Sequence, residues 1–386
     1  MSHIELIHSI AESQVPVLTL YVNTQNRNAS RHPKVPIHLA WFRKATTACS
    51  RTLTPQDATL FQHEVARVEQ FLEGRHPEEK ALAIFAGRET WTMLPLQTGV
   101  ENEIRWGKPA VGQLFRRLHE HPPYGIVVVD HRAARFFQLF LGEFVELGEK
   151  RFDIDKSQWK EKDLGHVAGE QVRKTRGTNR DLFEHRVKAQ YDRLCRDTAE
   201  QAVAFSKQRD FAAIFLVGLD QLVGPIQRKF PTSFRTRLVT VPEDFGKLSP
   251  SKILRRLEPL MTDYEQKRQF LDVEQLLATE KGTVAEVDET LARLQDGSIR
   301  ALVVAVDHDF HLRECESCAT VNRSSDLVCT NCGGKRRTIA LLDMLPSLAA
   351  EHGTKVQFVT GKVAKILAKA GGIAGWLRQP AKSAVG

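Results

Sequence analysis

Four cysteines, Cys315, Cys318, Cys329 and Cys332, form two Cys-x-x-Cys pairs, CESC and CTNC, separated by ten residues. Two such turns can hold four thiolates tetrahedrally around one ion at about 2.3 Å, the arrangement zinc prefers. An all-cysteine set leaves no coordination position for water or substrate, so the spacing predicts a structural Zn2+ rather than a catalytic one. The surrounding insert is poor in apolar residues, and its fold is expected to depend on the metal. Cys49 and Cys195 stand alone, Cys195 on an apolar helical stripe, and both are read as chemically inert. With four of the six cysteines in a metal spacing, the chain does not read as a disulfide framework.

The second candidate is GHVAGEQVRKTRG, residues 165–177, rich in glycine and charge and without an apolar period. Gln171, beside Gly169 and Glu170, is positioned to aim a polar group at a reacting carbonyl, as an oxyanion donor does. Around it His166, Arg173, Lys174, Arg176 and Arg180 outnumber the acidic residues, a set suited to salt-dependent contacts with RNA phosphates. A solvated linker fits the same composition. Earlier in the chain Asn26, Arg27, Arg31, His32 and Lys34 make a second basic loop; aromatics are sparse there, so base stacking is not inferred. It too reads either as an RNA contact or as solvated surface.

The elements that position these residues are α/β throughout. VPVLTLYVN (15–23) and ALAIFAG (81–87) are strand-like runs, with a helical stretch from about Pro55 to Glu73 between them. YGIVVVDHRAARFFQLFLGEFVEL reads as two buried strands turning at Asp130 to Ala133. Helical spacing then runs through Phe183, Val187, Tyr191, Leu194, Ala202 and Phe205, followed by a strand, FAAIFLVG, and a short helix, VGPIQRKF. Towards the end, VAEVDETLARLQDGSIRALVVAVD gives a helix, a stop at Gly297 and a strand; ALLDMLPSLAAEHG gives a helix closed by Gly353, and KVQFVTG a strand. The GGI of LAKAGGIAGWLR lacks the lysine-serine pattern of a nucleotide loop.

The whole reads as three α/β domains in tandem: 1–120, 121–268 with a glutamine tip loop at 160–180, and 269–379 with a zinc ribbon at 312–337. A length of 386 residues agrees with two or three domains at about 150 residues each. The formal net charge of +8 favours a polyanionic partner, nucleic acid or ribonucleoprotein, without choosing among RNA, DNA and anionic lipid. The start, MSHIELIHSIAESQVPVLTLY, has no signal-peptide pattern, and no run of about 18 apolar residues occurs, so a cytoplasmic protein without a membrane partner is expected.

From about Pro122 onward the chain resembles the superfamily of archaeal and eukaryotic class-1 peptide-chain release factors and Pelota. YGIVVVDHRAARFFQL is similar to the strand pair opening their central domain. AGEQVRKTRGTNRDLFEHRVKAQYDRL falls where release factors carry Gly-Gly-Gln and a basic helix. ECESCATVNRSSDLVCTNCGG resembles the cysteine-rich minidomain of the archaeal factors, and VQFVTGKVAKILAKAGGIAGWLR their closing segment. The resemblance implies an L7Ae-like α/β sandwich as last domain and a tRNA-like place in the ribosomal A site, against 16S and 23S rRNA. The first domain would face the decoding centre, the central tip the peptidyl transferase centre, and the last domain a translational GTPase such as elongation factor Tu.

Two departures bear on activity. Glu170 stands where release factors have the second glycine, and the Asn-Ile-Lys-Ser and Tyr-x-Cys-x-x-x-Phe patterns that read stop codons are missing. A side chain at a position needing left-handed backbone costs about 1 to 2 kcal/mol, and a carboxylate there faces RNA phosphate. The layout with a defective tip is similar to the Balon-like ribosome hibernation factors of bacteria, and implies a monomeric, non-catalytic A-site occupant of vacant or stalled ribosomes under stress. Two alternatives stay open: a rescue hydrolase acting on peptidyl-tRNA through Gln171, and a Pelota-like adaptor recruiting a GTPase or ATPase.

Overall fold

A computed structural model describes residues 7, 9–11, 13, 15–24, 35–73, 79–152, 172–279, 281–306, 308 and 310–378, with 172–187 described as backbone only. These residues fall into two compact units, one made of 1–121 with 260–386 and the other of 122–259.

The first unit opens with an antiparallel sheet of β1 (Val17–Asn23), β2 (Ala81–Gly87), β3 (Trp91–Leu96) and β4 (Glu103–Gly107), ordered β3-β2-β1-β4. The period-2 alternation of the strands puts Leu18, Leu20, Val22, Leu82, Ile84 and Ala86 on one face. Against it pack Leu39 and Phe42 of α1 (Ile37–Ser50) and Phe61, Val68 and Leu72 of α2 (Pro55–Glu73). The opposite face is covered as well: Tyr21 Oη donates to the Ala110 carbonyl at 2.8 Å, and Ala110 N donates to Thr19 Oγ1 at 3.1 Å. This strap leads into α3 (Gly112–Glu120).

The rest of this unit is a second sheet, ordered β10-β16-β11-β15, from β10 (Thr283–Val284), β11 (Ile299–Ala305), β15 (Lys355–Val359) and β16 (Ile373–Leu377). β11 is parallel to β15 and antiparallel to β16. Its helices are α7 (Val287–Gln295), α8 (Leu341–His352), α9 (Gly361–Lys369) and the end of α6 (Pro250–Ala278). Val273 and Leu276 of α6 share a core with Val303, Val359, Val363 and Leu367. Gly353, at φ +60°, caps α8 as the sequence predicts. A small three-stranded sheet, β13-β12-β14, interrupts this domain between β11 and α8: β12 (Leu312–Cys315), β13 (Val321–Asn322) and β14 (Arg336–Ile339). The first and last parts of the chain meet within the unit. α3 packs on α8 and β15, with Phe115 edge-on to Phe358 at 6.2 Å and Arg105 Nη1 donating to Asp343 Oδ2 at 2.7 Å.

The second unit is a five-stranded sheet, β7-β6-β5-β8-β9, from β5 (Tyr124–Val129), β6 (Ala133–Phe140), β7 (Glu143–Arg151), β8 (Ala213–Val217) and β9 (Leu238–Val241). β5, β6 and β7 are antiparallel, while β8 and β9 run parallel to β5. Cys195, Ala199, Ala202 and Val203 of α4 (Val172–Arg209) and Leu222, Val223 and Ile226 of α5 (Asp220–Gln227) bury against Val127, Val129, Ile214 and Leu216.

Three expectations need correction. The segment expected as two strands makes three, because Leu141 and Gly142, at φ +48° and +81°, form a two-residue hairpin turn that pairs Phe140 with Glu143. The tip loop expected to run to residue 180 gives way to α4 at Val172. And residue 268, expected as a domain boundary, lies inside α6, which crosses from one unit to the other at 259/260.

Candidate functional site

The insert that carries the cysteines has almost no core of its own. Within it Leu312 and Val321 are buried, but Leu327 and Val328 stand 65% and 58% exposed, so burial alone contributes little to its fold. What organises it is a pair of matched turns. Cys315 N donates to Thr320 O at 3.0 Å and Ala319 N to Cys315 O at 2.9 Å. In the second turn Cys329 N donates to Gly334 O at 2.8 Å and Gly333 N to Cys329 O at 2.9 Å. The residue after each second cysteine is left-handed, Ala319 at φ +57° and Gly333 at φ +71°. A Cβ on Gly334 would come within 2.9 Å of Ser317 Cβ and 3.1 Å of Cys315 Sγ, so the second turn closes over the first with glycine there.

The four sulfurs lie within 4.8 Å of one another, with Cys315 to Cys332 at 3.4 Å and Cys318 to Cys329 at 3.7 Å. A tetrahedral ion with metal–sulfur bonds of about 2.3 Å spaces its sulfurs at about 3.8 Å. The residues therefore fit a metal ion. Backbone amides favour thiolates in the first pair: Cys315 is held below the usual thiol range by the Cys318 N–H and then by Ser317 N, 3.4 Å from its sulfur. Cys318 is lowered to about 6 by the Thr320 hydroxyl and then the Thr320 amide. Cys315 and Cys329 are buried, Cys318 and Cys332 exposed.

The ribbon is fastened to the last domain by contacts the sequence did not reveal. The Gln295 side chain at the end of α7 pairs like a strand with Val321, donating to its carbonyl at 3.0 Å and accepting from its amide at 2.8 Å. At the other end of α7, Arg323 Nη2 meets Asp288 at 2.9 Å and Glu286 at 3.2 Å. Arg336, buried at 7% exposure, donates to Arg313 O at 3.0 Å and to Asn322 Oδ1, tying β14 across β12 to β13.

Of the residues proposed to contact RNA, His166, Gly169, Glu170 and Gln171 lie outside the described residues, as do Asn26, Arg27, Arg31, His32 and Lys34. Arg173, Lys174, Arg176 and Arg180 are described by backbone alone, within the first turns of α4. Positions 173, 176 and 180 there recur on one stripe of the helix. Cys195 is a core residue at 2% exposure whose thiol is pushed up by burial. The GGI segment is a helix cap: Gly371 and Gly372, at φ +106° and +82°, end α9, and side chains on them would strike Val287 and His308.

Residues 109–259 match the family model described as bacterial archaeo-eukaryotic release factor family 10. No curated protein matches the sequence. Among solved structures, the archaeal translation termination factor aRF1 is similar at 13% identity, over 97% of this chain and 96% of that one, with a TM-score of 0.24. Pelota of Archaeoglobus fulgidus is 16% identical over 80% of this chain and 82% of its own, with a TM-score of 0.30. Dom34 of S. cerevisiae is 11% identical over 98% and 91%, with a TM-score of 0.41. The segment matched by the family model contains the second unit end to end, and over those residues the chain is similar to the bacterial archaeo-eukaryotic release factors.

Proposed function

We propose that the protein is a ribosome hibernation factor that occupies the A site of vacant or stalled ribosomes in the cytoplasm and does not release peptide at stop codons. The observation that carries the reading is Glu170, in place of the middle glycine of a release-factor tip, within a segment of a release-factor family. A carboxylate at the tip repels the RNA phosphate and the developing oxyanion alike, and its Cβ opposes left-handed backbone. What remains is positioning and charge neutralisation by Arg173, Lys174, Arg176 and Arg180, by the loop carrying Arg27, Arg31 and Lys34, and by a net charge of +8. The first loop faces 16S rRNA, the tip 23S rRNA, and the last domain a translational GTPase such as elongation factor Tu. We assign zinc to the four cysteines, because an all-thiolate tetrahedral set selects a soft, redox-inert ion with no open position.

The retained Gln171 favours one rival, a peptidyl-tRNA hydrolase. Both are tested by adding full-length protein to 70S ribosomes holding peptidyl-tRNA. The wild type is expected to bind these ribosomes with peptide release at the background rate, and Glu170→Gly to release at least tenfold faster than that background, the equivalent of about 1.4 kcal/mol. Wild-type release that disappears in Gln171→Ala would overturn the hibernation reading.

A further inference from the structure

α9, GKVAKILAK, is amphipathic in an unusual sense. Val363, Ala364 and Leu367 are buried against the sheet, while Lys362, Lys365, Ile366 and Lys369 are exposed. Positions 362, 365, 366 and 369 follow i, i+3, i+4, i+7 and so share one stripe of a 3.6-residue helix, spanning about 10 Å of its axis. The helix contains no acidic residue. Among the described residues none of the three lysines has an ion-pair or hydrogen-bond partner.

Three other helices of this unit pair cations within their own length: Arg67 with Glu64 on α2, Lys267 with Asp263 and Arg268 with Glu265 on α6, Arg293 with Glu289 on α7. Like charges at helical spacing repel, so an unpaired lysine row weakens its own helix until an anion covers it.

The chemistry of the row selects among anions. Protein interfaces are anchored by aromatic residues and arginine and are depleted in lysine. On α9 the exposed apolar group is one isoleucine, Ile366 at 37%, and there is no aromatic residue. A convex row of compact point charges makes no side-chain-specific contact; it matches the repeated, sequence-independent charge of a phosphate backbone.

We infer that the exposed face of α9 is an RNA-backbone contact, in which Lys362, Lys365 and Lys369 each neutralise a phosphate of double-helical RNA. This gives the last domain a nucleic-acid surface of its own, and it does not depend on A-site binding.

The test is fluorescence anisotropy of a labelled RNA hairpin with the full-length protein across a KCl series. The salt slope is expected to become shallower by about two to three units in the variant Lys362→Gln/Lys365→Gln/Lys369→Gln, since each lost phosphate contact removes about one unit. The affinity lost between about 50 and 200 mM KCl then shrinks by about 20- to 60-fold. The corresponding triple arginine variant is expected to keep the wild-type slope. An unchanged slope in the glutamine variant overturns the inference, and so does an equal change in the arginine variant, which would trace it to the helix rather than its charge. Loss of binding to phosphatidylserine vesicles with the RNA slope intact also overturns it, assigning the face to a lipid surface. Because the readout is an isolated hairpin, either result leaves the ribosome experiment to be decided on its own.

Discussion

Ala319 and Gly333 occupy the same place in the two cysteine turns, both left-handed, yet only one is glycine. A Cβ at φ +57° costs about 1 kcal/mol, so Ala319→Gly is expected to stabilise the ribbon by about that much. Metal extraction by a chelator should then slow about fivefold; unchanged or faster extraction would show the strain to be absent. Cys329, at 5% exposure, is the more deeply set cysteine of its pair. Cys329→Ser is expected to reduce bound zinc from one per chain towards none and to remove hydrogen-exchange protection from residues 312–337, with β1–β9 unaffected. Full zinc occupancy in that variant would refute the assignment. The clustering of the four cysteines was legible in the sequence because it is local, two pairs at fixed spacing. The Gln295 clamp was not, because a neutral amide contacting a strand 26 residues away looks like any surface glutamine.

At the scale of elements, α4 shows where local propensity misleads. VRKTRGTNRD, with a glycine, two threonines, an asparagine and an aspartate, reads as loop, yet the helix begins at Val172. Helix formation is cooperative, so the turns of α4 anchored by Cys195, Ala199, Ala202 and Val203 in the core extend a helix through residues that would not nucleate one. Gly177 is the weakest of them. Gly177→Ala is expected to stabilise this stretch by about 1 kcal/mol and to slow amide exchange over 172–180 about fivefold; exchange left unchanged would mean the segment is not helical in solution. The reverse error produced the missing β7. Leu141 at positive φ carries no turn signature, whereas the Gly297 and Gly353 stops that were legible use the residue the backbone requires.

At the scale of the molecule, the first and last parts of the chain form one compact unit, a grouping with no sequence signal because every contact that makes it is long-range. α3 is its seam. Gly112 lets the helix approach Leu342, where a side chain would come within 2.6 Å of the carbonyl oxygen, and Phe115, His119 and Phe358 form an aromatic cluster. His119 is neutral there, with Nδ1–H donating to Phe115 O at 2.8 Å, and desolvation lowers its pKa; the same burial lowers that of His121. The sign of the pH dependence follows. As pH falls below the ordinary histidine value of about 6.5, the unfolded chain takes up protons that the folded seam refuses. Stability contributed by the neutral ring is thus complete above that pH and is lost as the pH drops through the lowered value. The melting temperature of the full-length protein is expected to fall between about pH 7.5 and 5.5, and His119→Gln, which keeps a polar side chain but cannot titrate, to flatten that fall, leaving the part due to His121. Identical pH profiles for the two proteins would show that the seam does not hold His119 neutral.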